Sequence, residues 1–121
     1  MNELAKLYWE KRRAELKKLN SEEFRVLKEL AESGDATAQD ILGDCYCSGT
    51  GVDKNEKEAV RLYKLAANQG YANAQANLGY CYQHGIGVTK DEKEAVRLYK
   101  QAADQGNALA QIALRSMGIT E

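Results

Sequence analysis

Apolar positions in this chain fall in short stripes separated by polar runs. Ala38, Leu42, Cys45 and Tyr46 stand at i, i+4, i+7 and i+8, the spacing that lines one face of an α-helix. Ala59, Leu62, Tyr63 and Ala66 form a second such stripe. Both return further along, as Ala74, Leu78, Cys81 and Tyr82 and then as Ala95, Leu98, Tyr99 and Ala102. Each pair of stripes predicts two amphipathic helices joined by a tight turn, Gly49-Thr50-Gly51-Val52 and Gly85-Ile86-Gly87-Val88, with the valine as its anchor. The second helix of each pair is expected to open on a capping box, Asp53 with Glu56 and Thr89 with Glu92.

The recurrence is a sequence repeat. Asp35 to Gly70, "DATAQDILGDCYCSGTGVDKNEKEAVRLYKLAANQG", aligns without a gap on Tyr71 to Gly106, "YANAQANLGYCYQHGIGVTKDEKEAVRLYKQAADQG". About two-thirds of the positions are identical at a period of about 36 residues, the mark of a repeat array. Gly34, Gly70 and Gly106 punctuate it, each closing an alanine-rich helix where a left-handed cap calls for glycine. Upstream, Phe24, Val26, Leu27, Leu30 and Ala31 stand one period before Val60, Leu62, Tyr63, Ala66 and Ala67, so "SEEFRVLKELAESG" is a preceding second helix. The helix before that has diverged to a stripe of Leu4, Tyr8, Trp9, Leu16 and Leu19, as suits an end cap. Downstream, "NALAQIALRSMGITE" repeats the first-helix pattern and stops, with Arg115 in place of the glycine at 43 and 79. The expected fold is all-α, an α-solenoid of stacked helix-turn-helix repeats with about seven helices in a right-handed superhelix. Its divisions are an N-terminal capping helix pair over 1–34, repeats over 35–70 and 71–106, and a C-terminal capping helix over 107–121, all in one domain.

Composition agrees and narrows the partners. The 121 residues include 44% hydrophobic ones and no proline, enough for one core and consistent with uninterrupted helices. Seventeen basic residues against eighteen acidic ones leave no bulk field to draw a nucleic acid or an anionic membrane. Lys11, Arg12, Arg13, Lys17 and Lys18 make the first segment locally basic, but Glu10 and Glu15 are interleaved and no aromatic platform accompanies them, so a solvated cap is the reading. The N-terminal run has no apolar signal core and no membrane span, which points to the cytoplasm; a periplasmic or secreted location would require that a signal segment had been removed. Three cysteines, an odd number, read as thiols in a reducing compartment.

The residues that look chemical carry little chemistry. Cys45 and Cys47 are two apart, and on a helix that separates their side chains by about 200°, too far round to chelate one ion. Cys45 repeats as Cys81 beside core positions, so both read as buried, inert thiols. His84 is the single histidine and its repeat counterpart is Ser48, which excludes a repeated metal or catalytic role. Gly85-Ile86-Gly87 follows no strand and lacks the further residues of a phosphate loop, so it is a turn. No cofactor, metal or catalytic residue is expected.

Comparing the two copies instead marks a surface. On the first helix of each repeat the identical positions are 38, 39, 42, 43, 45 and 46, the packing set. The differing positions are spaced by three and four and share a side: Thr37, Asp40, Ile41, Asp44, Cys47 and Ser48, then Asn73, Ala76, Asn77, Tyr80, Gln83 and His84. Two readings are open, recognition of a partner or drift on a solvated face. Under the first, Thr37, Asp40, Ile41, Asp44, Cys47, Asn73, Asn77, Tyr80, Gln83 and His84 form the partner-binding set, with Tyr80 as an amphipathic anchor.

The pattern A-x-x-x-L-G-x-x-Y-x-x-G-x-G-V, a polar turn, and E-A-V-x-L-Y-x-x-A-A-x-x-G resembles the Sel-one-like repeat (SLR) family, related to the tetratricopeptide repeats. The resemblance implies a scaffold or adaptor that receives a protein or peptide, on a monomeric chain, with the first helices lining a concave groove. Some cysteine-rich bacterial members join the two helices of each repeat by a disulfide, and weak penicillin-related amide hydrolysis is suggested for that branch. Here Ala67 and Ala103 hold the second-helix position, so that pairing is missing. Besides the scaffold reading stand a dedicated inhibitor or immunity-type partner of one folded protein, such a hydrolase, and an engineered repeat without natural ligand.

Overall fold

The computed structural model of the chain describes residues 20–119 together with Leu7, Glu10, Lys11 and Ala14. Six helices follow one another among the described residues, with no strand: α1 (Ser21–Glu32), α2 (Ala36–Ser48), α3 (Glu56–Ala67), α4 (Ala72–His84), α5 (Glu92–Asp104) and α6 (Ala108–Ser116). The stripe of the seventh expected helix, Leu4, Tyr8, Trp9, Leu16 and Leu19, lies outside the described residues, while Leu7, Glu10, Lys11 and Ala14 within that stretch are helical and exposed. Each helix packs chiefly on its neighbours in the chain, which makes an α-solenoid of two hairpins, α2–α3 and α4–α5, flanked by α1 and α6.

The stripes are buried as their spacing requires. Ala38, Leu42, Cys45, Ala59, Leu62, Tyr63 and Ala66 are core residues, and so are Ala74, Leu78, Cys81, Ala95, Leu98, Tyr99 and Ala102. Tyr46 and Tyr82 are only half-buried. Alanine at the contacts lets the helices close on one another, and the tyrosine rings of the second helices fill the space over the helical glycines of the first. A Cβ on Gly43 would stand 2.7 Å from the Tyr63 ring, and one on Gly79 would stand 3.0 Å from Tyr99. At the same position α6 carries Arg115, whose side chain is exposed. Along α1 the buried face is narrower than its repeat alignment predicts. Ala31 is buried, but Val26 and Leu30 are exposed where their counterparts Leu62 and Ala66 are not.

The starts of α3 and α5 differ from expectation. Asp53 and Thr89 do not cap them; the helices begin after Asn55 and Asp91, whose side chains accept from the amides of Glu58 and Glu94, each at 3.1 Å. The capping residue has moved two places because the Gly-x-Gly segment keeps the chain extended for longer. The amide of Asn55 returns to the carbonyl of Tyr46 (2.9 Å) and that of Asp91 to Tyr82 (2.8 Å), which closes each hairpin loop. An amide at a helix start needs an acceptor, and the short side chains of Asn and Asp are best placed to supply one.

One ladder was invisible to the hydrophobic pattern. Gln39, Gln75 and Gln111 recur at the period, and each donates to a carbonyl near the end of the preceding second helix: Ala31 (3.2 Å), Ala67 (3.5 Å) and Ala103 (3.5 Å). Gln39 and Gln75 in turn accept from Gln69 (2.8 Å) and Gln105 (2.9 Å). Each of these carbonyls also accepts from the amide of the glycine just past its helix, Gly34, Gly70 or Gly106, and the glutamine adds a second donor that ties the next repeat to the helix end.

Candidate partner-binding face

The differing positions on α2 and α4 do not share one environment. Asp40, Asp44 and Asn77 are 0%, 1% and 1% exposed. Their place in the partner-facing set is corrected accordingly: they are inside the structure, and the fold constrains them. Burying a carboxylate or an amide calls for hydrogen-bonding partners, and other helices of the stack supply them to Asp40 Oδ1, Asp44 Oδ1 and Asn77 Nδ2, while Asn77 Oδ1 has none among the described residues. Asn77 donates from Nδ2 to Asp40 Oδ1 at 2.7 Å, linking α4 to α2 across 37 residues of chain. The Tyr63 hydroxyl donates to Asp44 Oδ1 at 2.6 Å.

Divergence between the copies is therefore partly compensation. In the first hairpin the conserved tyrosine, Tyr63, meets Asp44; in the second the position of Asp44 is held by Tyr80, and the Tyr99 hydroxyl donates to Gln83 Oε1 at 2.7 Å instead. Gln83 stands where the first copy has Cys47. A buried hydroxyl kept its acceptor while the residue providing it moved one turn. Asn73 is likewise coupled to the start of α6: its Oδ1 accepts from Asn107 Nδ2 at 2.9 Å, and Asn107 also caps α6 by accepting from the Ala110 amide at 2.9 Å. Neither recognition nor drift explains such pairs.

What the face presents outward is a smaller group. Thr37 and His84 are exposed, and Ile41, Cys47, Asn73, Tyr80 and Gln83 are half-buried. Tyr80 and His84, one turn apart on α4, hold their rings 4.3 Å apart at a tilt of 51°. Partial burial raises the Tyr80 hydroxyl above its ordinary range and lowers His84 below the usual imidazole value, so both are neutral near pH 7. The three cysteines are thiols. Cys81 is pushed well up, chiefly by burial, which suppresses the thiolate a nucleophile or a metal ligand would need. Among the described residues no three His, Cys, Asp or Glu side chains come together as a metal site would require. None of the described helices is long and apolar enough to cross a membrane.

A family model for the Sel1 repeat matches residues 36–71 and 72–107. The chain belongs to the Sel1 repeat family, whose members generally act as scaffolds for protein–protein interaction and are generally non-enzymatic. No curated protein matches it. Among solved structures it is similar to a Sel1 repeat protein from Oxalobacter formigenes, at 42% identity over 80% of this chain and 74% of that one, with a TM-score of 0.76. It is also similar to c5321, a protective antigen of uropathogenic Escherichia coli with an SLR fold, at 36% identity and a TM-score of 0.73. That match covers 80% of this chain but 21% of the antigen. A third similar structure is Helicobacter pylori cysteine rich protein B, at 30% identity over 76% of this chain and 70% of that one, with a TM-score of 0.71.

Proposed function

We propose that this chain is a protein-interaction scaffold that binds a peptide or partner helix on the side of α2 and α4 where the two copies differ. Tyr80 anchors the contact with His84 beside it, and Thr37, Ile41 and Cys47 extend the surface over the preceding repeat. The observation that carries this reading is the tilted Tyr80–His84 ring pair on a helix whose neighbouring polar groups, Asn77, Gln83 and Asn73, are already tied to α2, α5 and the cap of α6. An aromatic surface over a polar layer hydrogen-bonded to other helices is held in place before a ligand arrives, which lowers the ordering cost of binding. Affinity capture from native lysate with wild type and Tyr80→Ala tests it, combined with a photo-crosslinking side chain at His84 or, as control, at Gln101. The expected result is a partner that crosslinks from position 84, not from 101, and is lost with Tyr80→Ala. The same proteins captured by both forms refute the assignment. Competition by a short peptide from the captured partner separates groove binding from docking of one folded target.

A further inference from the structure

A cavity of about 420 Å³ lies where the end of α3 meets α4 and α5. Ala67, Leu78 and Leu98 give it an apolar floor, with the half-buried Tyr82 beside them. Tyr82 is two residues from Tyr80, about 200° round the helix, so the cavity opens on a different side of α4 from the Tyr80–His84 pair. Its volume falls in the range of small-ligand clefts, about 300–1,000 Å³.

The polar lining has a sign. Glu94 is already taken, since its carboxylate accepts from Arg97 Nε at 2.8 Å and from Arg97 Nη2, and Gln75 Oε1 accepts from Gln105. The cationic donors are open. Arg97 Nη1, the Lys64 ammonium and the Tyr82 hydroxyl make no hydrogen bond among the described residues, and the side-chain amides of Asn68 and Gln101 make none either. Lys64 faces the same carboxylate as Arg97: after the Arg97 hydrogen bond, its charge helps to hold Glu94 below the ordinary carboxylate range. Two cations against one carboxylate leave the cavity positive.

One repeat earlier the same place is built differently. Lys28, Glu58, Arg61 and Tyr46 stand for Lys64, Glu94, Arg97 and Tyr82, and Arg61 holds Glu58 in the same way at 2.8 Å. Asn68, however, has Glu32 as its counterpart, and Gln101 has Leu65. Two cations there stand with two carboxylates, so the positive excess belongs to the second junction. The stack does not demand either exchange, because Asn68 and Gln101 are exposed and their side chains bond to no neighbouring helix. Asp44 and Gln83 differ from their counterparts for another reason, the tyrosine hydroxyls they accept from.

We propose that this cavity is a second protein-binding site, and that its occupant is an acidic segment of a partner, with a carboxylate on Lys64 and Arg97 and an apolar side chain beside it over Leu78 and Leu98. The site goes beyond the Tyr80 reading and does not depend on it. Ammonium and guanidinium donors form charge-assisted hydrogen bonds with a carboxylate, and the apolar floor favours a peptide over a bare anion. A nucleic acid fits less well, because two cations, one of them paired with Glu94, cannot neutralise a run of phosphates.

The test uses the intact, isotope-labelled chain and an acetylated, amidated hexapeptide of alternating glutamate and leucine, beside its counterpart of glutamine and leucine. Backbone and side-chain amide shifts are followed up to ~1 mM peptide, the weak end of specific affinity. The expected result is saturable shifts at Asn68, Tyr82 and Gln101, with binding of the glutamine peptide about tenfold weaker or less. The shifts are lost with Lys64→Glu, and with Asn68→Glu combined with Gln101→Leu, in chains of unchanged helical content, and they persist in Tyr80→Ala. Absence of saturable shifts, equal binding of both peptides, binding that survives both pocket variants, loss with Tyr80→Ala, or tighter binding of a thymidine oligonucleotide at the same amides overturns the proposal.

Discussion

Replacing Gly87 by alanine probes the contact on which the repeat stack depends. Two costs combine there. The residue has φ +70°, a left-handed conformation that costs an L-residue about 1–2 kcal/mol. Alanine also restricts the unfolded chain, which returns about 0.4–1 kcal/mol. The new Cβ then collides with the backbone of Glu56 and with Val60, and backbone cannot swing aside as a flexible side chain would. Overpacking of this kind costs about 1–3 kcal/mol. Gly70 supplies the control, since it shares the left-handed backbone (φ +84°) but has open space where a Cβ would go. Gly70→Ala is expected to cost about 1 kcal/mol or less and Gly87→Ala about 2–4 kcal/mol, both dominated by their stated terms. Urea unfolding followed by helical circular dichroism measures both, and near the melting temperature each kcal/mol corresponds to about 4 °C in a domain of this size. Destabilisation of the two variants within about 0.5 kcal/mol of one another refutes the close approach, because additivity errors are of that order.

Three further expectations follow from the buried polar layer. Tyr63→Phe removes a hydrogen bond to a buried carboxylate and costs about 1.5–3 kcal/mol, against about 0.5–1.5 kcal/mol for Tyr99→Phe, whose acceptor is an amide; equal losses in urea titrations refute the difference. Burial, reinforced by Asp44, holds the Tyr63 hydroxyl well above its ordinary value of 10.0, so its contribution is complete below pH 10 and declines as pH rises above it; Tyr63→Phe flattens that alkaline decline, and an unchanged slope counts against the assignment. A double-mutant cycle between Asp40→Ala and Asn77→Ala is expected to give a coupling of about 0.5–3 kcal/mol, and strict additivity refutes the 2.7 Å contact. In native buffer at pH 8 a thiol reagent is expected to modify Cys47 first, with Cys45 and Cys81 reacting only after unfolding; three thiols reacting together contradict their burial.

Helix content, hairpin order and the core stripes were legible because each is a periodic property of the chain. A stripe at i, i+4, i+7 and i+8 has one face to bury, and two near-identical copies bury it in the same way, as Leu42 and Leu78 do. The cap residues were misplaced by two because Asp53, Thr89, Asn55 and Asp91 are all competent caps, and the length of the extended Gly-x-Gly segment decides among them.

The candidate face was legible only in outline. A difference between repeats carries no label saying whether it serves a partner or a neighbouring helix. Asp44 and Tyr80 occupy equivalent positions, yet one is the buried acceptor of a tyrosine and the other an aromatic half-open to solvent. The Tyr99 hydroxyl keeps an acceptor only because Gln83, one turn on, takes over the task. Sequence alone determined the repeat, its helices and its family, because these rest on spacing within a few turns of chain. Tertiary structure alone decided which of the differing polar residues are tied into the stack and which stay exposed, because the hydrogen bonds involved join residues 16 to 37 positions apart. No local pattern along the chain records that pairing.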